Sequence, residues 1–248
     1  MDRSRPPTRP PRWDVVPTPG GVRRLARLAR ADDARFRSLV DRVGPAIERS
    51  LTDDVFANRA RPASRPASLA PCRPAHRRWR RAIDDACAGG GAAIATDVEG
   101  CYASITPEAV GRSLERLGAS ADHVAELVGW LRSVGDLGVD GLPVGPEPSA
   151  ILANAVLGIG DRALARSGVR WLRWVDDWVI VASDLRTAEH GLADLASALR
   201  AEGLRLHEAK TLRWSDARDL VPESRRTRRS LALGEPVADA GGTPERMA

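Results

Sequence analysis

The chain reads as an α+β domain on a β-α-β-β-α-β plan, and three stretches carry that reading. Gly91 to Ile105 holds an apolar run that stops at Asp97. Val169 to Ser183, VRWLRWVDDWVIVAS, sets two apolar runs around a bare pair of carboxylates, Asp176 and Asp177, the pattern of a tight β-hairpin with acids at its tip. Leu185 to Glu202 is amphipathic at helical spacing, Gly203 stops it, and Leu204-Arg205-Leu206 then alternates as an expected edge strand. Only helical patterns separate the first strand from the hairpin, so the order is strand, helices, hairpin, helix, strand.

Residues 1–20 are rich in Pro and Arg without periodicity, and a flexible basic leader is expected. From Val22 to Leu51 the residues Leu25, Leu28, Phe36, Leu39, Val43 and Ile47 recur at helical spacing, and Gly44-Pro45 should split the run into two short helices. Ala60 to Pro74 is a low-complexity Arg/Pro/Ala/Ser loop. Arg77 to Cys87 resumes a helix around Trp79 and Ile83, which Gly89-Gly90-Gly91 ends.

After the Asp97 strand, Thr106-Pro107-Glu108 supplies an N-cap, a proline at the first helical position and a first-turn acid. Val110, Leu114 and Leu117 face inward, and Gly118 stops that helix. A further helix from Ser120 buries Val124, Leu127, Val128 and Leu131. Gly141 to Pro148 forbids regular structure, whereas Ser149 onward is helical with Ile151, Leu152, Ala155 and Val156 on one side. Residues 215–248 turn polar and are expected to form a disordered tail.

The 248 residues suffice for one good-sized core, and the formal net charge of +5 favours an anionic partner. Three cysteines without C-x-x-C spacing argue against a disulfide framework and fit a reducing cytoplasm. The histidines at 76, 123, 190 and 207 are not clustered, which argues against zinc. No apolar run approaches the ~20 residues of a membrane span, and the start lacks the apolar core of a signal peptide. Composition has drifted towards Ala, Arg, Gly and Pro: glutamine is absent, and Asn occurs only at 58 and 154. Against that drift the sole lysine, Lys210, and the sole tyrosine, Tyr102, are informative exceptions.

Aspartate is a good turn former, so Asp176-Asp177 alone would pass as an ordinary hairpin turn. Between buried Trp, Val and Ile strands, however, adjacent like charges repel unless a cation neutralises them. A divalent metal would do so, since Mg²⁺ takes one or two carboxylates and completes its shell with water and substrate phosphates. Asp97 is the candidate carboxylate from a second strand end, although alone it would serve equally as a cap.

Asp97 with Tyr102 five residues on, followed downstream by Trp174-Val175-Asp176-Asp177, resembles motifs A and C of reverse transcriptases. Gly141 to Leu157 resembles motif B, with Val144 where the family often has Gln; its Gly145-Pro146 followed by Ser149 is similar to bacterial defence-associated and unclassified members. Leu204 to Thr211 resembles motif D, and Asp53 to Arg59 resembles the segment ahead of motif A. The resemblance covers about residues 53–214. It implies a reverse-transcriptase-like palm at 91–214, a helical fingers-like region at 21–90 with the low-complexity loop near 60–75, and no full thumb.

The implied activity is that of an RNA-directed DNA polymerase, adding deoxynucleotides to a 3′-hydroxyl by a two-metal mechanism, with antiviral defence as a setting. Asp97, Asp176, Asp177 and the Val98 carbonyl are the implied ligands of two Mg²⁺ ions, with Mn²⁺ as the alternative. Lys210 is the implied proton donor to pyrophosphate, a task lysine can perform and arginine cannot. Tyr102 is implied beneath the incoming ribose, and Arg59, Gly145, Pro146 and Ser149 around the nucleotide. Expected partners are an RNA template, a DNA primer or product and deoxynucleoside triphosphates, with no membrane. Two other readings stay open: a template-independent nucleotidyltransferase on the same palm, and a non-catalytic palm that binds nucleic acid.

Overall fold

The computed structural model describes residues 7, 9–18, 21–60 and 68–220. In chain order its first elements are β1 (Arg12–Thr18), β2 (Gly21–Arg27), α1 (Arg30–Ser50), α2 (Cys72–Cys87), β3 (Ala92–Thr96) and the single turn α3 (Cys101–Ser104). Then follow α4 (Pro107–Arg116), α5 (Ala121–Gly135), α6 (Glu147–Ser167), β4 (Arg170–Trp174), β5 (Asp177–Ala182), α7 (Leu185–Arg200) and β6 (Leu212–Trp214). A short 3₁₀ turn, Glu208–Lys210, precedes β6. No helix among the described residues is long and apolar enough to cross a membrane.

The mixed α and β architecture is the expected one. Four strands form an antiparallel sheet in the order β4-β5-β3-β6, compatible with the β-α-β-β-α-β plan. Strand side chains alternate between two covered faces. Ile94, Trp171, Trp178 and Ile180 enter the large core built with α1 and α4 to α7, whereas Ala93, Leu172, Val179 and Val181 pack with Trp79, Ile83 and Cys87 of α2. Burial on both faces is why the hairpin reads as nearly continuous apolar sequence.

Four expectations on local structure are corrected. Residues 12–18 and 21–27 pair as antiparallel strands, so this part of the expected leader is regular structure and the region after Val22 begins as a strand. Trp13 packs onto the core, with the Arg24 guanidinium 4.3 Å above its ring, and this anchors a segment whose arginines hide its pattern. The Gly44-Pro45 break does not occur, and α1 runs through Pro45. Phe36, Leu39, Val40, Val43 and Ile47 are all buried on one stripe, and Phe36 stacks on Trp130 at 4.6 Å. That burial outweighs the ~3 kcal/mol an interior proline costs a helix.

Leu204 to Leu206 is not the edge strand: Leu206 makes only an isolated bridge to Val98, and β6 lies further on, paired with residues 93–95 of β3. Leu204 is fully buried and anchors the chain before it can pair. Finally, residues 215–220 are ordered, because Ala217 and Leu220 are buried beside Trp79 and the Ala217 amide donates to the Gly91 carbonyl at 2.7 Å. Residues 61–67 of the low-complexity loop, residues 1–6, 8, 19 and 20 of the leader and residues 221–248 of the tail lie outside the described residues.

Candidate active site

The ends of β3 and the β4-β5 hairpin meet in register. Thr96 pairs with Trp178, so Asp97, the next residue along β3, leaves the sheet level with the acids of the hairpin. The turn itself is Val175-Asp176, with Trp174 paired to Asp177, so Asp176 sits in the turn and Asp177 opens β5. Val175 has φ 57°, the left-handed conformation that two-residue hairpin turns require and that β-branched residues strongly disfavour.

Asp97, Asp176, Asp177 and Lys210 line one cleft of about 880 Å³ together with Val98, Tyr102, Gly145 and Pro146. Lys210 Nζ donates to Asp97 Oδ2 at 2.7 Å, with the lysine side chain 61% exposed and the aspartate 14%. The other oxygen, Asp97 Oδ1, is buried and has no hydrogen-bond partner among the described residues. Burial pushes the Asp176 carboxyl above the usual carboxylate range, and the negative Asp97 adds to this; a backbone hydrogen bond, Arg23 and Lys210 pull the other way. Burial likewise raises the Tyr102 phenol well above an ordinary tyrosine.

Among the described residues no group of three His, Cys, Asp or Glu side chains forms a ready cage. A two-carboxylate site is nevertheless what Mg²⁺-type chemistry asks of the protein, the rest of the shell being water and phosphate. An orphaned buried carboxylate oxygen and a carboxylate pair strained by burial and mutual repulsion both call for a cation. The Val98 carbonyl suits a third ligand: the ladder bonds flanking the Val98–Leu206 bridge use the Asp97 carbonyl, at 2.8 Å from the His207 amide, and the Glu99 amide. The residues present fit the metal.

Two expected nucleotide contacts are elsewhere. Arg59 lies outside the cleft, its Nε on Glu48 Oε1 at 2.6 Å and its Nη1 on the Thr52 and Val55 carbonyls, where it straps the loop after α1 onto that helix. Ser149 is fully buried at the start of α6, because the helix turns its first serine into the core. Gly145 and Pro146 do line the cleft, and Gly145 has φ +124° with the Ala26 carbonyl only 3.3 Å from where a Cβ would stand. The Ala26 amide donates to the Val144 carbonyl at 2.7 Å, which seats the β1-β2 hairpin on this loop. As a result Arg23 of β2 enters the cleft. Sequence reading missed it; the β-rich stretches on either side of Gly20-Gly21 were the available signal.

Also missed was the support beneath the turn. Arg173 is fully buried, and its Nε and Nη2 donate to Asp161 Oδ1 and Oδ2 at 2.8 and 2.6 Å, a bidentate pair. Trp178 Nε1 donates to the same Asp161 Oδ1 at 3.0 Å. Asn154 and Asp161, seven apart and hence on one face of the mostly apolar α6, were the legible sign that polar residues point into the core there.

A family model described as reverse transcriptase (RNA-dependent DNA polymerase) matches residues 64–229, more than half of the chain. The chain belongs to the reverse transcriptase family. Members of this family use divalent metals, in keeping with the acid pair. Among solved structures, this reverse transcriptase fold is similar to telomerase from Candida albicans, solved in complex with a fragment of telomeric RNA, at a TM-score of 0.57 and 11% identity. It is also similar to apo telomerase from Candida tropicalis truncated from its C-terminal domain, at 0.53 and 11%. The matches cover 86% and 85% of this chain but only 42% and 51% of the telomerase chains. No curated protein matches it in sequence.

Proposed function

We propose that the chain is an RNA-directed DNA polymerase that adds deoxynucleotides to a primer 3′-hydroxyl with two Mg²⁺ ions. The observation that carries the reading is the meeting of Asp97, Asp176 and Lys210 in one cleft, with Asp97 Oδ1 left without a partner among the described residues. Bound ions of this kind supply activation of the attacking hydroxyl and neutralisation of the charge on the leaving pyrophosphate. Asp97 and Asp176 hold them, and Asp177 at the head of β5 assists. Arg23 meets the triphosphate charge, and Tyr102 lies under the sugar, where its ring excludes a 2′-hydroxyl. Gly145 lets backbone approach the nascent pair. The RNA in the Candida albicans telomerase structure supports a nucleic-acid partner, and the Gly145-Pro146 and Ser149 spelling supports a setting in bacterial antiviral defence.

Extension of a labelled DNA primer on an RNA template tests this. Incorporation that needs a divalent cation and follows the template is expected; none with any cation or template overturns the reading, and equal incorporation without RNA moves it to template-independent synthesis. Replacing Tyr102 by alanine is expected to raise ribonucleotide relative to deoxynucleotide incorporation, read as the ratio of kcat/KM values. An equal loss for both would leave Tyr102 as a packing residue.

Lys210 makes a sharper case. Its ammonium already sits on Asp97, and a bound cation would free it to face the pyrophosphate. Arginine keeps the charge but cannot release a proton near neutral pH. Lys210→Arg should therefore slow the single-turnover chemical step by on the order of 10²–10⁴ with nucleotide affinity nearly unchanged. A variant as fast as the parent would restrict Lys210 to an electrostatic role.

A further inference from the structure

The buried Arg173 does more than neutralise Asp161. Its Nη1 donates to the Val175 carbonyl at 2.8 Å, clamping the turn residue whose left-handed φ sets the direction of Asp176. A conformation so disfavoured for valine persists only where its surroundings over-determine it. The same Nη1 donates to Asn154 Oδ1 at 2.8 Å. Asn154 in turn passes its Nδ2 to the carbonyls of Ala57 and Asn58, at 3.2 and 3.1 Å. Asn58, itself at φ 57°, lines the same cleft as Tyr102. Backbone bonds tie the same pieces: the Arg173 amide donates to the Asp54 carbonyl at 2.8 Å, and the Phe56 amide to the Arg173 carbonyl at 3.1 Å. Every link from the acidic turn to the Ala57-Asn58 loop is thus a hydrogen bond; those from Arg173 to Asn154 and from Asn154 to Ala57 are buried, where they are least exchangeable with water, and Tyr102 lines the cleft beside Asn58.

We propose that Arg173 is a positioning residue that sets the acidic turn and, through Asn154 and the Ala57-Asn58 loop, the tyrosine under the sugar, so that metal binding and sugar choice share one buried guanidinium. This rests on the polymerase reading for its meaning, but its geometry is testable without turnover. The chain's asparagines are at 58 and 154 only, and both are links in this relay. Lysine cannot replace Arg173, since one ammonium cannot hold Asp161 bidentately while also reaching Val175 and Asn154.

The experiment uses the sole tyrosine as a reporter. Full-length protein labelled with meta-fluorotyrosine gives one fluorine resonance, that of Tyr102, and Mn²⁺ titration of the same samples gives the metal affinity. Asn154→Ala cuts the relay beyond Arg173: the fluorine resonance should shift or broaden while Mn²⁺ affinity stays within about twofold of the parent. Arg173→Lys should disturb the resonance and also weaken Mn²⁺ binding by about 10- to 100-fold, the usual effect of losing a supporting partner of a metal ligand. In primer extension both variants should lose discrimination against ribonucleotides. An unmoved fluorine resonance in Asn154→Ala overturns the relay, and unchanged Mn²⁺ affinity in a folded Arg173→Lys overturns the hold on the turn. Should Arg173→Lys fail to fold, Asn154→Ala still decides the coupling to Tyr102, and Val175→Gly, which frees the turn without touching the ion pair, should weaken Mn²⁺ binding if the clamped turn matters. Absence of incorporation by the parent protein would instead count against the polymerase reading, since the resonance and the Mn²⁺ isotherm are read without turnover.

Discussion

Replacing Asp176 by asparagine is expected to lower nucleotide incorporation by at least about 10²-fold while raising the thermal midpoint of the metal-free protein at neutral pH. The rate falls because charge stabilisation held ready for the transition state is removed. The stability gain follows from burial and from Asp97, which hold the Asp176 carboxyl above its unfolded value. Between the unfolded and the raised folded value the native state binds more protons than the unfolded one, so stability falls as pH rises through that window and stays lower above it. Asparagine carries no such charge and escapes the loss. Added divalent cation should raise the midpoint of the parent by mass action and leave the variant nearly unmoved. Scanning calorimetry at several pH values with and without metal, beside primer extension, reads all three; an active variant, or one with the parent's pH slope and metal response, would remove Asp176 from the site.

The second large effect lies in the core. Asp161→Leu leaves the fully buried Arg173 guanidinium without its carboxylate and should cost about 3–5 kcal/mol in denaturant unfolding. Replacing both partners, Asp161→Leu with Arg173→Met, removes the uncompensated charge and should recover most of that loss. It should not recover full activity, because the Val175 carbonyl and Asn154 remain without their donor. A double variant as active as the parent would make the pair purely a stability element; a double variant as unstable as the single one would mean that packing, not charge, dominates there.

Much of the candidate site's layout was legible because strand chemistry is local. Asp97 ends an apolar run and Asp176-Asp177 interrupt another, so both had to leave a sheet at strand ends, and Lys210 and Tyr102 stood out in a chain that keeps one of each. Arg59 misled because an arginine-rich sequence offers no local sign of which guanidinium is spent on a neighbour; Glu48, eleven residues earlier, claims it. Ser149 misled because a helix start names a position and not the side on which its first turn is buried.

The sequence by itself determined the acid pair, the hairpin that presents it and the helices around it, since periodicity and turn chemistry depend on residues a few positions apart. Tertiary structure alone decided that α1 runs through Pro45, that an arginine-rich hairpin closes on the Val144 carbonyl and brings Arg23 to the acids, and that β6 follows the Lys210 turn. It also decided that Arg173, Asn154 and Asp161 turn inward and meet. Those outcomes depend on which charges find partners across the fold and on how much apolar surface a segment buries, and neither quantity is written in any one stretch of the chain.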